Sequence, residues 1–166
     1  MNDIQVVFNS RHGATGTNRN DLFYNFDWSK LKDTFYEVSF TCITQTGAFN
    51  GDKLAMLYVH LGNTPLVYKP VASTASTNTE FVGFLKPVIL QNTTPALATY
   101  LCASNEDNHN FHLNGRPTQQ FPRITFRDAT DALYTDSLGA EMPHYVLTLH
   151  FTEKHIDTRE HRDRYA

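Results

Sequence analysis

The amino-acid sequence predicts an all-β domain, a β-sandwich of two antiparallel sheets. Three observations predict it. Residues 36–44 (YEVSFTCIT) and 145–152 (YVLTLHFT) alternate apolar and polar side chains with a period of two, as half-buried strands do. Aromatic residues make up 13% of the chain and are mostly Phe and Tyr, which suits strands more than helices. Short apolar runs recur between turn signals, giving about eight to ten strands with no strongly amphipathic helix and no internal repeat. At 166 residues the chain is expected to form one domain over residues 1–153, followed by a charged C-terminal extension over 154–166.

Residues 4–8 (IQVVF) read as the first strand, and 9–20 (NSRHGATGTNRN) as a polar loop. In residues 22–28, Leu22, Tyr24, Phe26 and Trp28 share one face of a strand. Residues 29–34 connect, with one helical turn capped by Ser29 as an option. In the strand over 36–44, Tyr36, Val38, Phe40 and Cys42 face inward, while Glu37, Ser39, Thr41 and Ile43 face outward. Asn50-Gly51-Asp52 marks a turn. Residues 53–61 (KLAMLYVHL) are apolar on both faces, which places that strand centrally, a helix being the alternative. After a turn at 62–65 come a short strand at 66–68 and a small, polar loop at 71–79. Residues 80–90 read as a strand that Pro87 turns into an edge or a bulge. Residues 96–103 are a strand by context, 104–116 a His- and Asn-rich loop, and 123–126 a strand. Residues 128–136 are a strand pair or a short excursion. In residues 145–152, Tyr145, Leu147, Leu149 and Phe151 point inward.

Fourteen Lys and Arg against 17 Asp and Glu leave a net charge of −3, so no general attraction to nucleic acid is expected. No apolar run approaches the roughly 20 residues of a membrane span. The N-terminal residues lack the basic start and apolar stretch of a signal peptide, so synthesis in a reducing cytoplasm is expected and the sequon Asn92-Thr93-Thr94 should go unused. Cys42 and Cys102 both fall in strand-like runs. Buried thiols are the plain expectation, and spacing alone leaves a disulfide between them open.

The two ends of the chain carry a resemblance. Asn9-Ser10 closes the first strand, Tyr24-Asn25-Phe26 follows a polar loop, and Tyr36-Glu37-Val38 opens a long strand. The last strand, Tyr145 to Phe151, comes after a Pro-containing approach. This layout, over residues 4–46 and 121–152, resembles the single jelly-roll minor capsid and penton proteins of large icosahedral (nucleocytoplasmic) DNA viruses and virophages. The resemblance implies a single jelly roll of two antiparallel sheets and no cofactor. It also implies a structural role in the virion capsid, played through contacts between subunits. The implied partners are other capsid proteins, the major capsid protein among them, and further copies of this chain, a pentamer being one form. Manufacture in the host cytoplasm follows.

Chemical motifs weigh against catalysis. There is no GxGxxG or GK[ST] phosphate cradle. Ser10, Ser39 and Ser104 sit in no GxSxG elbow, and Glu106-Asp107 reads as solvated loop charge. His109 and His112, and the group His150, Glu153 and His155, invite a metal, but the spacing of a cupin site is missing and surface histidines are the plainer reading. A lectin-like carbohydrate-binding module is the main alternative function, with Trp28, Tyr58, Tyr68 and Tyr100 as the candidate rings. A trimeric sandwich of the tumour-necrosis-factor type is a further alternative, which the N-terminus opposes. For the capsid reading, the expected contact residues are Phe49 and Phe111 in loops and His150 on the outer face of the last strand. In the tail, Arg159, Arg162 and Arg164 should pair with carboxylates of a neighbour while Ile156 and Tyr165 anchor the contact.

Overall fold

The computed structural model describes residues 3–49, 57–62, 66–68, 81–93, 96–102, 111–116, 121–128, 130, 132–135 and 141–154. The strands, in chain order, are β1 (Asp3–Asn9), β2 (Ala14–Asn18), β3 (Asp21–Tyr24), β4 (Phe35–Thr44), β5 (Gly47–Phe49), β6 (Leu57–Gly62), β7 (Leu66–Tyr68), β8 (Phe81–Gln91), β9 (Ala96–Cys102), β10 (Phe111–Asn114), β11 (Arg123–Arg127) and β12 (Tyr145–Glu153). Among the described residues the one helical element is a 3-10 turn, Trp28–Lys30.

The fold is all-β, with two antiparallel sheets. Hydrogen bonding runs β1-β12-β4-β9, crosses to β8 along the β8–β9 pair, and continues β8-β6-β11-β3-β2. The pairing is nested. The β1·β12 pair encloses β3·β11 in the chain, which encloses β4·β9, which encloses β6·β8. The long registers are unbroken: Asp3 to Asn9 pairs with Thr152 to Val146, and Tyr36 to Thr44 with Glu153 to Tyr145.

Alternation dictates the core. Val6 and Phe8 of β1, Leu147, Leu149 and Phe151 of β12, and Val38 and Phe40 of β4 project inward from the first sheet and are buried. Leu57, Val59 and Leu61 of β6, Ile124 and Phe126 of β11, and Leu22 and Tyr24 of β3 meet them from the second. Each such Leu or Phe contributes about 1.5–3 kcal/mol by leaving water. Phe40 lies against Gly83 of β8, where an added Cβ would overlap its ring, so this strand glycine marks a close approach between the sheets. The Tyr24 and Tyr145 hydroxyls, 3.0 Å apart, hydrogen-bond across the core from opposite sheets. Burial pushes Tyr24 up to about 12 and Tyr145 further still, so both phenols stay protonated.

The sequence reading holds for the inward faces of residues 36–42 and 145–151. Within the strand read over 53–61 it also holds for 57–61 of β6, which lies between β8 and β11 and is buried except at half-buried Tyr58, while 53–56 lie outside the described residues. Pro87, expected to make an edge or a bulge, pairs in regular register with Tyr100, and the register shift of β8 comes later, between Ile89 and Gln91. Elsewhere the structure corrects the sequence reading. The supposed loop 9–20 contains β2, which pairs with β3. The strand read over 22–28 stops at Tyr24, although Trp28 remains in the core and Phe26 packs against it. The cap of the following turn is Asp27, not Ser29. Its carboxylate accepts the Ser29 N–H at 2.9 Å and the Ser29 hydroxyl at 2.7 Å, and these bonds hold its pKa below the usual carboxylate range. Residues 47–49, just before the expected Asn50-Gly51-Asp52 turn, form β5 against β9, a strand the sequence did not suggest. Residues 111–114, taken as loop, form β10 against β4 and β7. Of the two options for 128–136, the described residues fit the excursion: the Asp128 carboxylate accepts the Thr130 and Ala132 amides, and Arg127 bridges to Leu133. The turn at 50–52, the loop at 71–79 and the tail from 155 lie outside the described residues.

Asn20, wholly buried, ties three segments together. Its side-chain amide donates to the Tyr134 carbonyl, its Oδ1 accepts the Met142 N–H at 2.9 Å, and its carbonyl accepts the Phe126 N–H at 2.9 Å.

Candidate functional site

Among the described residues, two surface hollows stand out. The outward face of β1, β12 and β4 carries a groove of about 400 Å³ lined by Asp3, Gln5, Ser39, Thr41, His150 and Thr152. Strand alternation brings these side chains together, since inward Val6, Phe40 and Leu149 force their neighbours outward. His150, expected on this face, is half-buried at the centre of the groove, with its Nε2 3.4 Å from the Thr41 hydroxyl.

A second hollow, of about 360 Å³, lies at the rim where β1 ends and β12 begins. Arg11 donates to Gln45 Oε1 at 2.6 Å there, with Ile43 and Val146 as the apolar wall. Ser10 is the clasp of this rim. Its amide donates to the Tyr145 carbonyl at 3.1 Å, and its hydroxyl oxygen accepts the Tyr145 N–H at 2.9 Å. The same oxygen lies 3.1 Å from His144 Nδ1. Partial desolvation, then the nearby charges of Arg11 and Arg19, lower the His144 pKa, while Glu141 opposes them. These influences favour the neutral ring. Ser10 and His144 Nδ1 share one hydrogen bond, whose donor is set by the imidazole tautomer. A serine beside a neutral histidine has the contact of a nucleophile and its base. Here the hydroxyl also carries a strand-end bond, so its position follows from closing the β1–β12 ladder. The Asn9-Ser10 pair singled out in the sequence is thus a structural latch: the Asn9 carboxamide oxygen accepts the Arg11 N–H, and the Asn9 carbonyl accepts the His12 N–H.

The remaining candidates are dispersed. Phe49 and Phe111 sit in β5 and β10 rather than in loops, and their side chains lie outside the described residues. Ile156, Arg159, Arg162, Arg164 and Tyr165 also lie outside them. His112 is in β10, its ring stacked on Phe35 at 5.3 Å, while His109 and His155 fall outside the description. Glu153 pairs with Lys32 at 3.2 Å. Among the described residues, no three His, Cys, Asp or Glu side chains gather as a metal site. Of the candidate sugar-binding rings, Trp28 and Tyr100 are core residues, Tyr58 is half-buried, and the Tyr68 side chain lies outside the description. Cys42 is buried in the core, and the Cys102 side chain is likewise outside. No helix among the described residues is long and apolar enough to cross a membrane.

Sequence reasoning missed a set of exposed apolar side chains, Val7, Val88, Ile89, Leu90 and Phe121, while Ile43 is exposed as its outward placement requires. One signal was present for the β8 group. Three consecutive apolar residues in a strand must send at least one to the far face. Set against known protein families and against individual characterised proteins, the chain's sequence matches none.

Proposed function

We propose that this chain is a structural component of an icosahedral virus capsid, a minor capsid or pentameric vertex protein folded as a single jelly roll. The observation that carries the reading is the nested pairing of β1 with β12, β3 with β11, β4 with β9 and β6 with β8. A long antiparallel hairpin rolled over on itself produces that nesting, and jelly rolls of this kind build viral capsid domains as well as lectins and cupins. Val88, Ile89 and Leu90, three consecutive exposed apolar residues of β8, support the shell among these, as surface that a neighbouring protein would cover. The burial of Trp28 and Tyr100 removes half of the ring set on which a lectin reading depends. In this role the chain needs no cofactor and performs no catalysis. It contacts the major capsid protein, other shell proteins and further copies of itself, and it makes no direct contact with nucleic acid. It is made in the host cytoplasm and resides in the virion.

Reconstruction of intact particles by electron cryomicroscopy tests the proposal. The expected result is density for this sandwich at the five-fold vertices or between major capsomers. Purified particles that lack the chain altogether would overturn it.

A further inference from the structure

We propose that the free edge of β1 is a self-association site, on which a second copy of this chain lays its own β1 antiparallel about a two-fold axis. Among the described residues, the hydrogen-bonded path ends at β1 on one side and at β2 on the other. The two ends differ in the protection they carry. Strand β2 is short, its pairing shifts register between Thr15 and Asn18, and Gly16 takes a φ of 143°. These are devices that spoil an edge as a template. Strand β1 has none of them. Its register with β12 is unbroken from Asp3 to Asn9, and DIQVVFN contains no Pro, Lys or Arg.

The backbone direction of β1 is fixed by its ladder. The Ser10 amide bonds to the Tyr145 carbonyl, in continuation of the β1–β12 register. Bonded and non-bonded positions alternate in an antiparallel pair. Ile4, Val6 and Phe8 therefore bond to β12, while Asp3, Gln5 and Val7 present N–H and C=O groups to the open side. Asn9, next in that series, gives its carbonyl to His12.

A second β1 can pair there only in a register that keeps Val6 and Phe8 on the core side, since a slip of one residue inverts every side chain. The longest such register centres on Val6. It sets Gln5 against the second copy's Val7, a pair of outward-bonding residues that can exchange both hydrogen bonds. It also sets Asp3, the one charge in the strand, against the second copy's Asn9, so no like charges meet. Val7, now 58% exposed, becomes covered. The inference goes beyond the shell reading and does not depend on it, because a shell subunit can be built without this pair.

Sedimentation velocity over a concentration series, with amide hydrogen exchange on dilute and concentrated samples of the full chain, tests it. The expected result is a monomer–dimer equilibrium in which the Gln5 and Val7 amides slow on dimerisation. Val7→Lys, on an outward side chain, should weaken the dimer roughly tenfold or more without lowering the melting temperature of the monomer. Thr17→Lys, the same charge change on exposed β2, should leave the dimer intact. Three results would each overturn the proposal: a monomer at every concentration, a dimer whose Gln5 and Val7 amides exchange as fast as in the monomer, or equal weakening by the two lysines.

Discussion

The two sheets turn different outer faces away from the core. On β1, β12 and β4 the outward row reaches solvent and is mostly polar: Gln5 and Thr41 are exposed and Ser39 and His150 half-buried, with Val7 and Ile43 as exposed apolar members. On β6 and β11 the middle of the corresponding row is closed, while Tyr58, Arg123 and Arg127 along it are half-buried. His60 and Thr125, opposite one another in register, are each only 2% exposed. Beside them Asp21 accepts two bonds from Arg123, at 2.7 and 2.6 Å, and the Arg123 guanidinium lies 5.2 Å from the Phe23 ring centre. The first sheet shows what period-two patterning means when one face meets water. The second shows that a polar residue on the outward phase of a strand can still be interior.

The core common to both faces should give the largest response. Phe40→Ala is expected to cost about 3–5 kcal/mol in chemical unfolding, and Gly83→Ala about 1–3 kcal/mol by overpacking. Phe40→Leu should relieve part of the Gly83→Ala cost. Strictly additive effects would show that the contact between the sheets is looser than described.

The rims come next. Asn20→Ala orphans the Met142 amide and the Tyr134 carbonyl, each worth about 1–3 kcal/mol. Ser10→Ala, at the rim of the first sheet, removes a partly buried acceptor and should cost about 0.5–1.5 kcal/mol. The reverse ranking in urea melts would undo the assignment of Asn20 as the stronger tie.

A matched pair of histidines tests the faces directly. His60→Ala should lower stability by about 1–3 kcal/mol, whereas His150→Ala should stay within about 0.5 kcal/mol. Equal effects would erase the distinction between closed and open faces.

The smallest effect is one of pH. The His144 pKa lies below 6.5 in the folded chain, for partial desolvation and then two arginines disfavour the charged ring. As pH falls below 6.5 the unfolded chain therefore takes up the proton first, and stability declines until the folded ring also protonates. Urea melts between pH 7 and pH 5 should show a decline that His144→Gln removes. A stability that rises over this interval would contradict the sign.

The inward residues of β4 and β12 were legible because alternation alone decides them. Residues 14–18 were not, since ATGTN holds no large apolar side chain and no alternation: its strand exists because β3 offers a partner, a tertiary cause without a local pattern. The strand read through Phe26 and Trp28 went too far for the opposite reason. Their side chains belong to the core, but a turn capped by Asp27 delivers Trp28 there. At the rim, Ser10 could be singled out in the sequence, but His144 could not be joined to it, because 134 positions separate them and only the closing ladder makes them neighbours.

Nested pairing also dictates an order of events during folding. The enclosed β8–β9 pair needs a short loop closed, whereas β1 meets β12 only when Asp3 finds Thr152. Loop closure grows costlier with the length enclosed, and chains dominated by distant contacts fold in milliseconds to seconds rather than microseconds. Strands β1 and β12 should then be the last to zip and the first to part. Until they do, the inner row of Val38 and Phe40 on β4 has no β12 beside it. A slow final phase, sensitive to substitutions in β1 and indifferent to those in β8, is the kinetic signature of a sandwich that closes by bringing its two chain ends together.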